Sequence, residues 1–169
     1  MRRKIIEWEF EKNIKLKNYY DNWGNRVCGF YTDKNIIIFM QLKNKALFLD
    51  RDGVINKNFG YVFSMKNFVW LKNVKKAIKY ACIKKYLIIV VTNQSAVARG
   101  YCSENDVKKL HNEINKELKI INCKIHDFFY CPYHPKYGNK KYKKDSFLRK
   151  PNPGMIFKAV SKWNIDLNK

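Results

Sequence analysis

Lys45-Ala46-Leu47-Phe48-Leu49-Asp50-Arg51-Asp52-Gly53-Val54-Ile55-Asn56 is the stretch on which the fold turns. Ala46 to Leu49 form a continuous apolar run of the kind a buried parallel strand uses, and the run ends in two carboxylates spaced two residues apart. Open α/β sheets keep their ligands at the carboxyl ends of their strands, so Asp50 and Asp52 stand where chemistry is done. Gly53 lets the backbone turn sharply after the second carboxylate, and Asn56 can tie the turn down through its amide. A bare Asp-x-Asp-Gly also suits a solvated loop that merely carries two acidic residues. The surrounding sequence decides between the two.

Downstream, Lys57 to Leu71 is irregular and aromatic, with Gly60-Tyr61, Phe63, Phe68 and Trp70. A loop of this length inside a compact domain is more often a functional cover than a plain connection, and it is expected to border the site. Asn73 reads as a helix N-cap, with Val74, Ile78, Ala81 and Cys82 on one face of the following helix. Tyr86 to Asn93 is a second apolar strand ending in Thr92 and Asn93, then Gln94 and Ser95. Strand, helix and strand at this spacing fit a βαβ crossover that sets Thr92 beside Asp50. Ser103 and Asp106 start another helix as a Ser-x-x-Asp box, with Val107, Leu110, Ile114 and Leu118 inward and His111 expected on the polar side. Lys124 to Cys131 reads as a third strand. A basic loop follows, then Arg149-Lys150-Pro151 and a last helix opened by Pro153-Gly154.

Upstream, residues 1–44 carry no motif. Ile5, Trp8, Phe10 and Ile14 recur at loosely helical spacing, and Val27 to Tyr31 and Ile36 to Met40 flank Thr32-Asp33-Lys34-Asn35 as in a hairpin. Residues 1–44 are therefore read as an N-terminal extension without assigned role, and 45–169 as the domain that carries the chemistry.

The chain has 169 residues, 46% of them hydrophobic, enough for one main core. No apolar run approaches the length of a membrane span and the N-terminus lacks a signal-peptide core, so a cytoplasmic protein with no membrane partner is expected. Five cysteines, Cys28, Cys82, Cys102, Cys123 and Cys131, are odd in number and irregularly spaced, which suits reduced thiols. A formal charge of +21 would attract any polyanion. The lysines are spread along the whole chain, and charge by itself supplies only non-specific affinity, so nucleic acid is the lesser reading and a small phosphorylated substrate the better one.

Together, Asp50-Arg51-Asp52-Gly53-Val54-Ile55-Asn56, Val91-Thr92-Asn93-Gln94-Ser95 with Ala98-Arg99-Gly100, Tyr130-Cys131-Pro132, and Arg149-Lys150-Pro151 with Pro153-Gly154-Met155 resemble the haloacid dehalogenase superfamily. Within it the match is to the D-glycero-D-manno-heptose 1,7-bisphosphate phosphatases and their relatives the histidinol-phosphate phosphatases. The resemblance runs from about Lys45 to the end of the chain. It implies an α/β three-layer sandwich around a parallel sheet, and a monomeric Mg²⁺-dependent phosphatase acting on a sugar bisphosphate in the supply of heptose for surface polysaccharide.

By this resemblance Asp50 is the nucleophile that becomes an aspartyl phosphate, and Asp52 is the general acid and base. Thr92 and Lys150 hold the transferring phosphoryl group, and Arg149 helps recognise the substrate. Arg51, Asn58, Phe59, Gly60, Tyr61, Asn93, Gln94 and Ser95 complete the substrate pocket. Mg²⁺ is expected on the Asp50 side chain and the Asp52 main-chain carbonyl.

Two departures accompany the match. The family's zinc loop keeps only Cys131, its other ligand positions being Tyr133, Ser146 and Leu148, so zinc is not expected. The family's fourth motif, a Gly-Asp loop on a further strand that completes the Mg²⁺ site, would begin beyond Lys169. A domain truncated at its C-terminus is therefore expected, with an apolar sheet edge beside the Asp50 strand. An active phosphatase, an impaired fragment of one, and a basic binding module on the same fold are the readings carried forward.

Overall fold

The structure is a computed structural model that describes residues 15–20, 26–31, 38–41 and 43–167. The chain divides into two compact units, Met1–Lys43 and Asn44–Lys169. In the first, β1 (Lys15–Tyr20), β2 (Arg26–Tyr31) and β3 (Ile38–Gln41) form an antiparallel sheet in that order, with Cys28 opposite Asn18 on one side and Met40 on the other. The hairpin partners expected on either side of Thr32–Asn35 are β2 and β3. β1 carries no alternation that reveals it in advance. The helical spacing of Ile5, Trp8, Phe10 and Ile14 lies outside the described residues.

The second unit is built on a parallel sheet of order β4-β5-β6, with β4 at Ala46–Leu49, β5 at Leu87–Asn93 and β6 at Asp127–Cys131. Helix α1 (Val74–Ile83) joins β4 to β5, α2 (Glu104–Lys119) joins β5 to β6, and α3 (Gly154–Trp163) follows. β5 is central, and its side chains point alternately to the two faces as pleating requires. Ile88 and Val90 enter one core with Ile78 and Ala81 of α1 and Leu110, Ile114 and Leu118 of α2. Ile89 and Val91 enter a second core with Cys131 and with Met155 and Ala159 of α3. Helix, sheet and helix thus make the three layers of the expected α/β sandwich.

β4 is half-buried along its length rather than fully buried as its apolar run suggests. Among the described residues its ladder runs only to β5, with Leu47 level with Ile88 and Leu49 level with Val90. Just before it, Asn44 bridges to Ile165 beyond α3, its N–H donating to the Asn164 carbonyl at 2.8 Å.

The helix starts follow local chemistry unevenly. Ser103 and Asp106 form the expected capping box, with the Asp106 N–H on Ser103 Oγ at 3.2 Å and the Ser103 N–H on Asp106 Oδ2 at 2.9 Å. Asn73 precedes α1 but does not cap it through its side chain. It sits at φ 66°, in the left-handed region, whereas a capping side chain needs extended backbone to reach back to the first turn.

Candidate active site

Because β4 and β5 run parallel and in register, Asp50 and Thr92 leave the sheet at the same end. The turn after β4 closes through Gly53, at φ 88°, whose N–H donates to the Asn56 carbonyl at 2.8 Å. This turn brings Asp52 over the strand end. Lys150 arrives from the chain before α3 and is fixed by a reciprocal pair: its N–H donates to Asn93 Oδ1 at 3.0 Å, and Asn93 Nδ2 donates to its carbonyl at 3.1 Å. Asn93 thereby latches the Arg149-Lys150 segment to the end of β5.

A cleft of about 220 Å³ results, lined by Asp50, Asp52, Thr92 and Lys150 and walled by Asn58, Gly60, Tyr61 and Val62 on one side and Asn93 to Ala96 on the other. The Lys150 ammonium forms an ion pair with Asp50 Oδ2, and Asp50 Oδ1 accepts the Arg51 N–H at 2.7 Å. Both side chains remain partly open, 37% for Asp50 and 30% for Lys150, so an incoming anion can reach them.

Asp52 is held differently. Arg51 donates to it through Nε at 3.2 Å and Nη2 at 3.0 and 3.1 Å, Asn56 Nδ2 at 3.0 Å and Gln94 Nε2 at 2.9 Å. Gln94 also donates to Thr92 Oγ1 at 3.0 Å, so one amide aligns two of the cleft's polar groups. The grip is itself buried, since Arg51, Asn56 and Gln94 are 0%, 0% and 3% exposed.

The sequence placed Arg51 among the pocket residues, but its guanidinium lies inside the protein. It also donates to the Val62 carbonyl and to Gln94 Oε1 at 3.0 Å, and its Nη1 stands 3.4 Å from His111 Nε2. Phe59 is well exposed and Arg149 donates to the Tyr133 carbonyl at 3.2 Å; neither lines the cleft. His111, read as a polar-face residue of α2, is 4% exposed and stacks on Phe128 with ring centroids 4.1 Å apart. Burial and then the Arg51 charge drive its pKa down to about 3, which keeps the ring neutral. Sequence reasoning missed this support because its members are scattered over the turns after β4 and β5 and over α2. The faint signal was a His inside an otherwise regular helix.

The positions corresponding to the zinc loop do come together. Cys131 faces the Tyr133 carbonyl at 3.9 Å, while Tyr133 and Leu148 pack in the same apolar cluster. Burial pushes the Cys131 thiol up, away from the thiolate a metal needs. One sulfur with a hydroxyl, a phenol and a leucine does not fit a tetrahedral zinc.

With two carboxylates, a lysine and a threonine hydroxyl gathered at the carboxyl end of a parallel sheet, the comparison with known proteins is decisive. A model of the polynucleotide kinase 3 phosphatase family matches residues 45–168. The chain belongs to this phosphatase family. Its curated relatives include the D-glycero-α-D-manno-heptose-1,7-bisphosphate 7-phosphatase of Burkholderia mallei, 44% identical over 75% of this chain and 67% of its own length. The D-glycero-β-D-manno-heptose-1,7-bisphosphate 7-phosphatase of Haemophilus influenzae is 38% identical over 73% of this chain and 66% of its own. Among solved structures, a HAD-like phosphatase of Mesorhizobium loti superposes with a TM-score of 0.69 at 32% identity, over 74% of this chain and 60% of that one. The D,D-heptose 1,7-bisphosphate phosphatase of B. bronchiseptica, solved with magnesium and phosphate, gives 0.65 at 27% identity, over 73% and 65%. The chain spans about two thirds of the length of the curated relatives it matches. The family's phosphatase fold is that of the haloacid dehalogenases, as the motifs implied.

Proposed function

We propose that this family member is a Mg²⁺-dependent phosphatase that removes one phosphate from a sugar bisphosphate of the heptose 1,7-bisphosphate type. The observation that carries the reading is the Asp50–Lys150 ion pair at the mouth of a cleft shared with Asp52 and Thr92. An Asp50 carboxylate oxygen attacks phosphorus, the bond from phosphorus to the sugar oxygen breaks, and Asp52, which enters this step protonated, delivers its proton to that departing oxygen. Asp52 then takes a proton from a water that attacks the aspartyl phosphate, which frees inorganic phosphate and restores both side chains. Lys150 and the Thr92 hydroxyl hold the equatorial oxygens throughout, and Gln94 keeps Thr92 and Asp52 in register with each other.

The donor set fits a hard cation. The Lys150 ammonium is already committed to Asp50, and the Arg51 guanidinium is held against Asp52 inside the protein, so a phosphate dianion would find little positive charge to spare in the cleft. The Asp50 carboxylate and the Asp52 main-chain carbonyl would hold Mg²⁺, an ion that keeps several waters and asks few oxygens of the protein. When bound it supplies the missing charge at the transferring group. The magnesium and phosphate in the B. bronchiseptica phosphatase support this choice. Phosphate release from heptose 1,7-bisphosphate should rise with added Mg²⁺ and vanish in Asp50→Asn. Turnover insensitive to a chelator would remove the metal from the scheme.

A second substrate class has its own support in the matched family's description and in the charge of +21. A 3′-phosphorylated polynucleotide would meet the same nucleophile. Its turnover would fall far more steeply with salt than that of a sugar bisphosphate, because a polyanion releases condensed counterions on binding and a small ligand has none to release.

A further inference from the structure

The wall that carries Thr92 to Ala96 continues past the Asp50 cleft and encloses a second, larger one of about 780 Å³, between residues 97–103 and the loop of Tyr137, Gly138 and Tyr142. Arg99 lines it. The guanidinium carbon lies 3.6 Å from the ring centroid of Tyr137 and 5.7 Å from that of Tyr61. Tyr61 also lines the Asp50 cleft, and its ring meets Tyr101 of the second cleft edge-on at 4.9 Å. The two clefts are therefore joined through Tyr61. Gly138 lets the far loop close on this wall, since a Cβ there would come within 2.9 Å of the Ala98 carbonyl.

Arg99 is a cation with work left undone. Its Nε is buried and has no hydrogen-bond partner, and among the described residues no carboxylate pairs with it. The carboxylates at the start of α2 are committed elsewhere: Glu104 accepts from Tyr130 at 3.0 Å and Tyr142 at 2.9 Å, and Asp106 closes the Ser103 box. The surroundings are positive. After burial, Arg149, Arg99 and Lys136 help hold His134 below its ordinary pKa. A guanidinium stacked on an aromatic face keeps its N–H groups in plane and free, the geometry that grips a phosphate with two parallel bonds. Leaving the Nε donor buried and unmade is costly, and an oxyanion that reaches this guanidinium would relieve that cost.

We propose that Arg99 binds the second phosphate of the sugar bisphosphate, the one that is not transferred, while Tyr61 packs against the sugar between the two sites. This rests on the reading of Asp50 as the phosphate acceptor. Heptose 1,7-bisphosphate and heptose 7-phosphate differ only in the distal phosphate and separate the two ideas. Arg99→Gln should lower kcat/KM for the bisphosphate by about 10- to 100-fold, mostly through KM, the usual worth of a charged hydrogen bond. Turnover of the 7-phosphate should stay within about 3-fold, a change too small for a lost charged contact. Equal losses on both ligands, or none, would overturn the assignment. Calorimetric binding of both ligands in an Asp50→Asn background decides the matter even if the wild type hydrolyses neither: a preference for the bisphosphate that Arg99→Gln abolishes supports the site, and equal affinities overturn it. Should Arg99→Gln lower the melting temperature, Arg99→Lys keeps the charge and stem but loses the planar fork. A loss confined to the bisphosphate then supports the proposal, and an equal or absent loss opposes it. A 3′-phosphorylated oligonucleotide that outcompetes the bisphosphate at this site would replace the sugar assignment with a nucleic-acid backbone.

Discussion

Lys150 and Arg51 divide the two carboxylates between them, one from the open side and one from inside the protein. Lys150 is in the cleft and faces Asp50, the proposed nucleophile, so its effect should fall on turnover. Lys150→Ala should cut kcat by about 10²-fold or more, by analogy with the loss of one preformed transition-state donor, with little change in thermal stability. A comparable kcat in the variant would show that Lys150 only neutralises Asp50 at rest. Arg51 should behave in the opposite way. It is fully buried and holds Asp52, Val62, Gln94 and His111 at once. Arg51→Met would strand the Asp52 carboxylate among buried groups, and breaking a buried pair of this kind costs about 3–5 kcal/mol. Chemical denaturation should show that loss. A variant as stable as the wild type would mean that Asn56 and Gln94 satisfy Asp52 unaided.

At the scale of elements, α2 carries the site's hidden support through His111, packed against Phe128 and Tyr130 and facing Arg51. Its folded pKa of about 3 lies below the ordinary histidine value near 6.5. Between those two values the unfolded chain binds a proton that the folded chain refuses, so stability is full above about pH 6.5 and falls as pH drops toward 3, by at most about 1.4 kcal/mol per unit. Urea unfolding at pH 7 and pH 5 should show this loss, and His111→Gln should reduce it while leaving the carboxylate contribution untouched. Equal pH slopes in the two proteins would exclude His111 as the acid-sensitive group. Features set by near neighbours could be read from the chain: the Ala46–Leu49 strand, the Ser103 box and the turn through Gly53. The convergence of Asp50 with Thr92 was legible through the handedness and spacing of the βαβ crossover. Features set by distant partners could not be read. Nothing near Arg51 in sequence tells that Gln94 and His111 will wall it in, and nothing near Asn73 tells that its backbone will turn left-handed. The half-burial of β4 also depends on which strands flank it, which its own apolar run does not report.

In the second unit the three layers bury β5 on both faces and leave the carboxyl ends of β4 and β5 to carry the chemistry. The formal charge of +21 gives the protein a net positive field. Such a field steers an anionic sugar phosphate to the cleft and is screened over about 10 Å at moderate salt. Raising ionic strength should therefore lower kcat/KM for the bisphosphate through KM, with kcat nearly constant. A kcat that falls in parallel would place the salt effect on the chemical step instead. No helix among the described residues is long and apolar enough to cross a membrane. The central claim is that Asp50, delivered by β4 and paired with Lys150, accepts the phosphoryl group. Acid-quenched single turnovers with radiolabelled heptose 1,7-bisphosphate test it most directly. Label should appear and then decay on the peptide that contains Asp50, and Asp50→Asn should show neither label nor phosphate release. Phosphate released with no labelled enzyme at any time, or turnover that survives Asp50→Asn, would contradict the account.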